Sequence, residues 1–544
     1  MLIRLVESVL AGALNRGRRG PPPHPAEETP LVEQAAVPEG HVLLGHEAGT
    51  GRAVTLPEAA RRRHLYLIGA TGSGKTSALL ALLDADLARA RTAVVLDLRG
   101  DLVDRVLARL AASGGADAWG ERLVLLDLRA EEWAVGFNPL AGPGQAWSRA
   151  LHTLAVLRQQ ADSWGVQLEE TLRCALLALA ENSDAGAPDS DGPDAGTLAD
   201  VEPLLTDAGF RARALARVTD AGTRAFFRRY DALGAERQSA WALPVLNKVS
   251  PFLAAPALRR MLAARRGLSF TDLLDGPPGR VVLLALAADR LHGAARLAGQ
   301  LLMSALEAAV MARSARPEAA RAPVGVYVDE FEHFAGAQFA SLLQEGRRMG
   351  CGLTLSHQNL AQLPADLRGV LRGNVGTQLL FQVGAADAAE LAPEFAFGEG
   401  REAARAALMA QGVGEAHLLR RGEPPVRLRL PPSSDPPADP ARVRALREAA
   451  LSRWGRPAAE VDAELAARAR RREECEREGR ARERRPAAPD SARPAGASQP
   501  PAGATAPADP AVSDDPRSDD PREENPYEVR LVPRRASRRP PGGG

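Results

Sequence analysis

The sequence predicts an α/β fold: a mainly parallel sheet whose chain is interrupted by an all-helical insertion. Three observations lead there. Short apolar runs alternate with stretches of helical periodicity from residue 64 onward, the pattern of a parallel sheet. A glycine-rich loop follows the first of these runs. Strand signals vanish between about residues 141 and 270 and resume at Val281.

The elements follow in order. Residues 64–68 form a short apolar strand, and 76–90 have helical periodicity. Residues 92–98 and 122–128 read as further strands. Across 141–270 Ala, Leu and Arg recur at helical spacing, broken at 182–196 by an Asp/Gly/Pro/Ser-rich stretch that should be an exposed loop. Residues 281–286 resume the sheet, 291–313 form a long helix, and 324–328, 352–355 and 378–383 are strands. A proline-rich hinge at 431–440 leads to a charged, Ala-rich helix reaching 485. Beyond 486 the chain is Pro, Ala, Asp, Ser and Arg, too poor in apolar surface to offset its ordering entropy, so a disordered tail is expected. The resulting organisation is an amphipathic helix (1–15), a linker (16–38), a first motor part (39–140), the insertion (141–275), a second motor part (276–431), the hinge and charged helix (432–485) and the tail (486–544).

Composition narrows the function classes. With 544 residues, 45% hydrophobic and 25% charged, the chain suits a soluble globular protein. A net charge of +1 singles out no acidic partner, so any nucleic-acid surface must be a local patch. Cys174, Cys351 and Cys475 are far apart and form no CxxC pair, and the histidines show no HxxxH pattern. Neither a disulfide framework nor a zinc site is expected, and the compartment is reducing and cytoplasmic. No apolar run approaches the ~20 residues of a membrane span. The stripe Leu2, Leu5, Val6, Val9, Leu10, Ala13 and Leu14 could lie on the inner face of a membrane, dock on a partner helix or pack on its own domain.

The chemistry is carried by Gly69-Ala70-Thr71-Gly72-Ser73-Gly74-Lys75-Thr76, which fits GxxxxGK[ST] between a strand and a helix. The glycines let successive N–H groups face a phosphate, and the helix start adds its positive end. Lys75 can reach the β- and γ-phosphates, and Thr76 offers a hydroxyl to magnesium. Only Lys75 and Lys248 are lysines in a chain crowded with arginine, so position 75 demands an ammonium. A second carboxylate must help hold magnesium. Asp97 ends one apolar strand and Asp329-Glu330 another; the second is preferred, with Asp329 on magnesium through water and Glu330 as general base. Gln358, after the strand at 352–355, could sense the γ-phosphate or position water, and Arg347 or Arg348 could act across a subunit boundary.

RHLYLIGATGSGKT, LDLRGDL (96–102), FNPL (137–140), YVDEFEHF (327–334), GRRMGCGLTLSHQNLAQLP (346–364) and RGNVGTQLLFQVGAADAAELA (372–392) occur in this order. Together they resemble type IV secretion coupling proteins, the conjugative branch of the HerA–FtsK DNA-translocase superfamily, over residues 41–430. The resemblance implies a RecA-like motor that forms a hexameric ring, hydrolyses ATP with magnesium and moves DNA or a relaxase–DNA complex toward a membrane secretion channel. It makes Arg347 the arginine supplied to the neighbouring subunit and Gln358 the sensor. Family members carry transmembrane helices that this sequence lacks, and often a lysine where Arg99 stands. A soluble HerA-like motor working with a nuclease, and a nucleotide-gated scaffold, are the alternatives. DNA contacts are less visible: the basic groups are Arg61-Arg62-Arg63, Arg228-Arg229, Arg259-Arg260 and Arg265-Arg266.

Overall fold

Uninterrupted runs of Val, Leu and Ala can be buried on both faces, which is what the central strands of a parallel sheet require. The computed structural model of the chain describes residues 37–185, 196–265, 267–395, 400–431 and 435–483. The helix expected at 1–15, nearly all of the linker, most of the 182–196 loop, Arg266 and the tail from 486 lie outside these residues.

In chain order the strands are β1 (His41–Glu47), β2 (Ala53–Pro57), β3 (Leu65–Ile68), β4 (Thr92–Asp97), β5 (Leu123–Asp127), β6 (Trp133–Ala134), β7 (Val281–Ala285), β8 (Val324–Val328), β9 (Cys351–His357), β10 (Thr377–Leu380), β11 (Glu415–Arg420), β12 (Val426–Arg429) and β13 (Arg456–Pro457). One eleven-stranded sheet runs β2-β1-β12-β11-β10-β3-β9-β8-β4-β7-β5. From β10 to β5 every neighbouring pair is parallel. From β2 to β10 every pair is antiparallel. Strands β4, β5 and β7 are buried at every residue. Between β6 and β7 the described residues hold helices and turns only, from Ala146–Gln159 to Phe270–Asp275. The expected α/β class with a mainly parallel sheet and an all-α insertion is what the chain adopts.

The antiparallel extension was not expected. Strand β12 carries arginines on alternate positions, and Glu415 at the start of β11 pairs with both. Glu415 accepts from Arg427 at 2.8 Å and from Arg429 at 3.1 Å across the strands.

The 432–485 segment also differs from the expected hinge and core-poor helix. It forms two helices, Pro440–Trp454 and Ala458–Glu483. The first buries Leu446, Ala450 and Leu451 against the edge strand β5, and Trp454 Nε1 donates to the Leu123 carbonyl at 2.8 Å. Arg447 bonds both Asp104 and Asp127, which Arg129 also clamps. Few apolar residues suffice because Arg447 and Arg453 pair with acids of the sheet side, Arg453 with Glu121. The second helix reaches the insertion through Arg260–Asp462 at 2.6 Å.

Arg61, a candidate phosphate contact, is buried instead. Its guanidinium donates to both Asp86 oxygens at 2.6 and 2.8 Å and to Tyr327 Oη at 2.8 Å, tying the short helix before β3 to β8. Arg260 is likewise taken up by Asp462. Arg62, Arg63, Arg228, Arg229 and Arg259 remain exposed.

Three buried histidines make the fold acid-sensitive. Burial lowers His64 and His417 to about 4 and His357 to about 3, from an ordinary 6.5. The backbone N–H of Leu353 donates to His64 Nδ1 at 3.0 Å, a bond only the neutral ring can accept. The unfolded chain binds protons more tightly here, so stability is full above 6.5 and is lost as pH falls toward 4. Denaturant unfolding followed between pH 7 and 4 is expected to show this decline, and His64→Gln to make it shallower.

Candidate functional site

Sheet order and register assemble the site at the carboxyl ends of β3, β9, β8 and β4. Ile68 pairs with His357, so the glycine loop leaves β3 beside Gln358. Val328 pairs with Leu355, which sets Asp329 beside Ser356. Leu96 pairs with Val328, and Asp329 N–H donates to the Leu96 carbonyl at 3.3 Å.

The glycine loop runs from Gly69 into the helix Lys75–Ala88. Gly72 and Gly74 take φ of 78° and 116°, in the region that favours glycine. A Cβ on Gly69 would stand 2.5 Å from the Phe381 Cβ, so the loop lies directly on that side chain. Ala70 and Thr71 are exposed at its crest, and Ser73 is buried. Lys75 is 8% exposed, and its ammonium folds back on the loop, donating to the carbonyls of Gly69 at 2.7 Å and Ala70 at 3.0 Å. Burial lowers its pKa, against the opposing pull of Asp329, Glu332 and Glu330.

Thr76 Oγ1 lies 3.5 Å from Asp329 Oδ2. Asp329 also accepts from the Ser356 hydroxyl and, at 3.0 Å, from the Glu330 N–H. Burial pushes its carboxyl above the usual range, and the Ser356 bond opposes the shift. Glu330 sits in the left-handed region at φ 49°, a conformation costing a non-glycine residue about 1 kcal/mol or more. That turn aims it toward Gln358, whose Nε2 donates to Glu330 Oε1 at 3.0 Å. Its Oε1 accepts from Thr71 Oγ1 at 3.2 Å. Gln358 thus bridges the glycine loop and Glu330. Arg99 approaches Glu330 at 3.7 Å from solvent.

Asp97 is otherwise engaged. It accepts from the N–H groups of Arg99 at 3.0 Å and Val103 at 2.9 Å, holding the turn into the helix Asp101–Ser113. Arg347 is exposed and precedes β9, so it lies at the opposite end of the sheet from the glycine loop. The seven residues of β9 alone separate the two by about 20 Å. Arg348 is paired with Glu345.

The sequence reading missed Glu332, Ser356 and the Phe381 bed. Glu332 lies in the tight turn Phe331–His333, near Lys75. Burial, with Glu330 and Asp329 close by, raises its carboxyl to about 7 from 4.5. The acidic spacing in DEFE was the available signal.

A carboxyl that binds its proton more tightly when folded contributes least at high pH: its burden is absent below 4.5 and present above about 7. In the nucleotide-free protein, Glu332→Gln is expected to raise the melting temperature at pH 8 and to raise it much less at pH 5. Scanning calorimetry at the two pH values tests this.

Residues 50–187 match the family model of the type IV secretion-system coupling protein DNA-binding domain. Among solved structures, the bacterial conjugative coupling protein TrwBdeltaN70, unbound, aligns at a TM-score of 0.53 and 17% identity over 75% of this chain and 92% of its own. The plasmid coupling protein TrwB with the non-hydrolysable GTP analogue GDPNP aligns at 0.52 and 18%, over 71% and 90%. The same protein with ADP and Mg2+ aligns at 0.51 and 16%, also over 71% and 90%. No curated protein sequence matches the chain. At these identities the structural likeness speaks for the fold, and the family model speaks for residues 50–187. On both grounds the resemblance carried by the motifs holds: residues 50–187 are similar to the type IV secretion-system coupling protein DNA-binding domain, and the chain shares the fold of TrwB.

Proposed function

We propose that this chain is an ATPase that drives DNA, or a relaxase–DNA complex, through a ring of its own copies toward a membrane secretion partner. The observation that carries the proposal is the meeting of Lys75, Thr76, Asp329, Glu330 and Gln358 around one glycine loop. The family match over 50–187 supports DNA as the substrate, and the TrwB complexes with GDPNP and with ADP and Mg2+ support nucleotide and magnesium. No helix among the described residues is long and apolar enough to cross a membrane.

In this reading the backbone N–H groups of Gly69, Ala70, Thr71, Gly72, Ser73 and Gly74 cradle the phosphates. Lys75 exchanges the carbonyls of Gly69 and Ala70 for phosphate oxygens. The site suits magnesium: Thr76 offers a neutral oxygen, and Asp329, held above its usual pKa by burial, gains from a cation reached through water. Bound magnesium neutralises phosphate charge. Glu330 accepts the proton of the attacking water, and Gln358, already bonded to Glu330, orients that water and registers the γ-phosphate. Arg347 lies too far from its own loop to act there, which supports delivery to the next subunit of a hexameric ring.

Purified protein is expected to hydrolyse ATP faster with DNA than without, and Glu330→Gln to lower turnover at least a hundredfold while retaining ATP binding. Tight ATP binding with no DNA response would favour a scaffold instead. Lys75→Ala and Arg347→Ala proteins, each inactive, are expected to regain activity when mixed, because mixed rings pair an intact Lys75 with a neighbour's intact Arg347. No recovery in verified mixed oligomers would remove Arg347 from the neighbouring site.

A further inference from the structure

The glycine loop has two flanks. Strands β9 and β8 bring Gln358, Glu330 and Asp329 to one side of β3, and β10 and β11 adjoin the other. Taking the loop as the phosphate site, on which this inference rests, the acids draw the reacting γ-phosphate toward β9. The rest of the nucleotide then points toward β10 and β11.

On that second flank the chain leaves the helix Arg401–Met409, turns through 410–414 and enters β11. This turn is fastened to the glycine loop. Gly414 N–H donates to the Ser73 carbonyl at 2.9 Å, and a Cβ on Gly74 would stand 3.2 Å from Gly414 N. Ala70 N–H donates to the Gln382 carbonyl at 2.7 Å, and Gln382 Nε2 donates to the Met409 carbonyl at 3.2 Å.

Its side chains are unusual. Val413 is 81% exposed and Met409 39%, both large apolar groups held in water beside a polar site. Between them Gln411 is 3% exposed, and neither atom of its amide has a hydrogen-bond partner among the described residues. A buried amide left wholly unbonded calls for an explanation. One missing ligand accounts for all three: a flat ring with an apolar face and a polar edge.

We propose that Met409, Gln411 and Val413 form the lip that receives the purine base of the nucleotide. Met409 and Val413 cover the ring face, and the Gln411 amide, which can donate and accept, meets the ring's polar edge when the turn settles on it. An amide can rotate to match adenine or guanine, so the lip recognises a purine without choosing between the two.

Calorimetric titration of the full-length protein separates base from phosphate. The ligands are Mg·ATP and Mg·tripolyphosphate, which has the phosphates and no base. Val413→Asp, at an exposed position that leaves the core intact, is expected to weaken ATP about tenfold, equivalent to 1.4 kcal/mol, with tripolyphosphate unchanged. Lys75→Ala is expected to weaken both ligands. Unchanged ATP affinity in Val413→Asp, or equal loss of both ligands, overturns the lip. If Lys75→Ala leaves both affinities intact, the glycine loop is not the phosphate site and the premise itself fails, whatever Val413 shows.

Discussion

Four parallel strand ends, locked in register, hold the whole arrangement. Neighbouring strands are about 4.8 Å apart, and a slip of one residue would turn every side chain to the other face. Asp329 reaches Thr76 and Ser356 only because Val328 lies opposite Leu355 and Leu96. Gln358 bridges to Glu330 only because Ile68 lies opposite His357. Burial enforces this register: β4 and β7 have no exposed residue, and Arg61, Asp86 and Tyr327 pin the amino end of β8 from below.

At the other end of those strands the structure concentrates charge it cannot neutralise alone. Asp329, Glu330 and Glu332 crowd around one ammonium, which is itself turned away toward the carbonyls of Gly69 and Ala70. Burial shifts Asp329 and Glu332 toward their protonated forms and Lys75 toward its neutral form. Each shift is unfavourable in isolation, and phosphates together with a divalent cation would relieve all of them at once. The left-handed turn at Glu330 adds backbone strain at the same point. A site strained in this way is poised for a ligand rather than optimised without one.

Much of this was legible in the residues. The central strands are continuous apolar runs, so β8 falls on 324–328, the range its apolar pattern marks. The glycine loop announces itself by spacing, and Asp329-Glu330 by ending a buried strand. What stayed hidden depends on partners distant in sequence. Strands β11 and β12 are stabilised by Glu415 with Arg427 and Arg429, and a charged run signals nothing until its partners are known. Arg61 sits in a basic triplet that suggests a surface, yet Asp86 and Tyr327 draw it inside. Glu332 counts as part of the site only once the turn Phe331–His333 folds it back toward Lys75.

The helix Pro440–Trp454 covers the edge strand β5, and Arg447 closes on Asp127 across 320 residues of chain. During synthesis that edge therefore emerges long before its cover. At about 5–20 residues per second, the delay is roughly 15–60 seconds. Throughout that interval β5 offers an unpaired row of backbone groups to any neighbouring nascent chain. The helix Pro440–Trp454 thus acts as a late-arriving guard on the assembly of the sheet, and a ribosome that stalls before it would release a sheet open at one side.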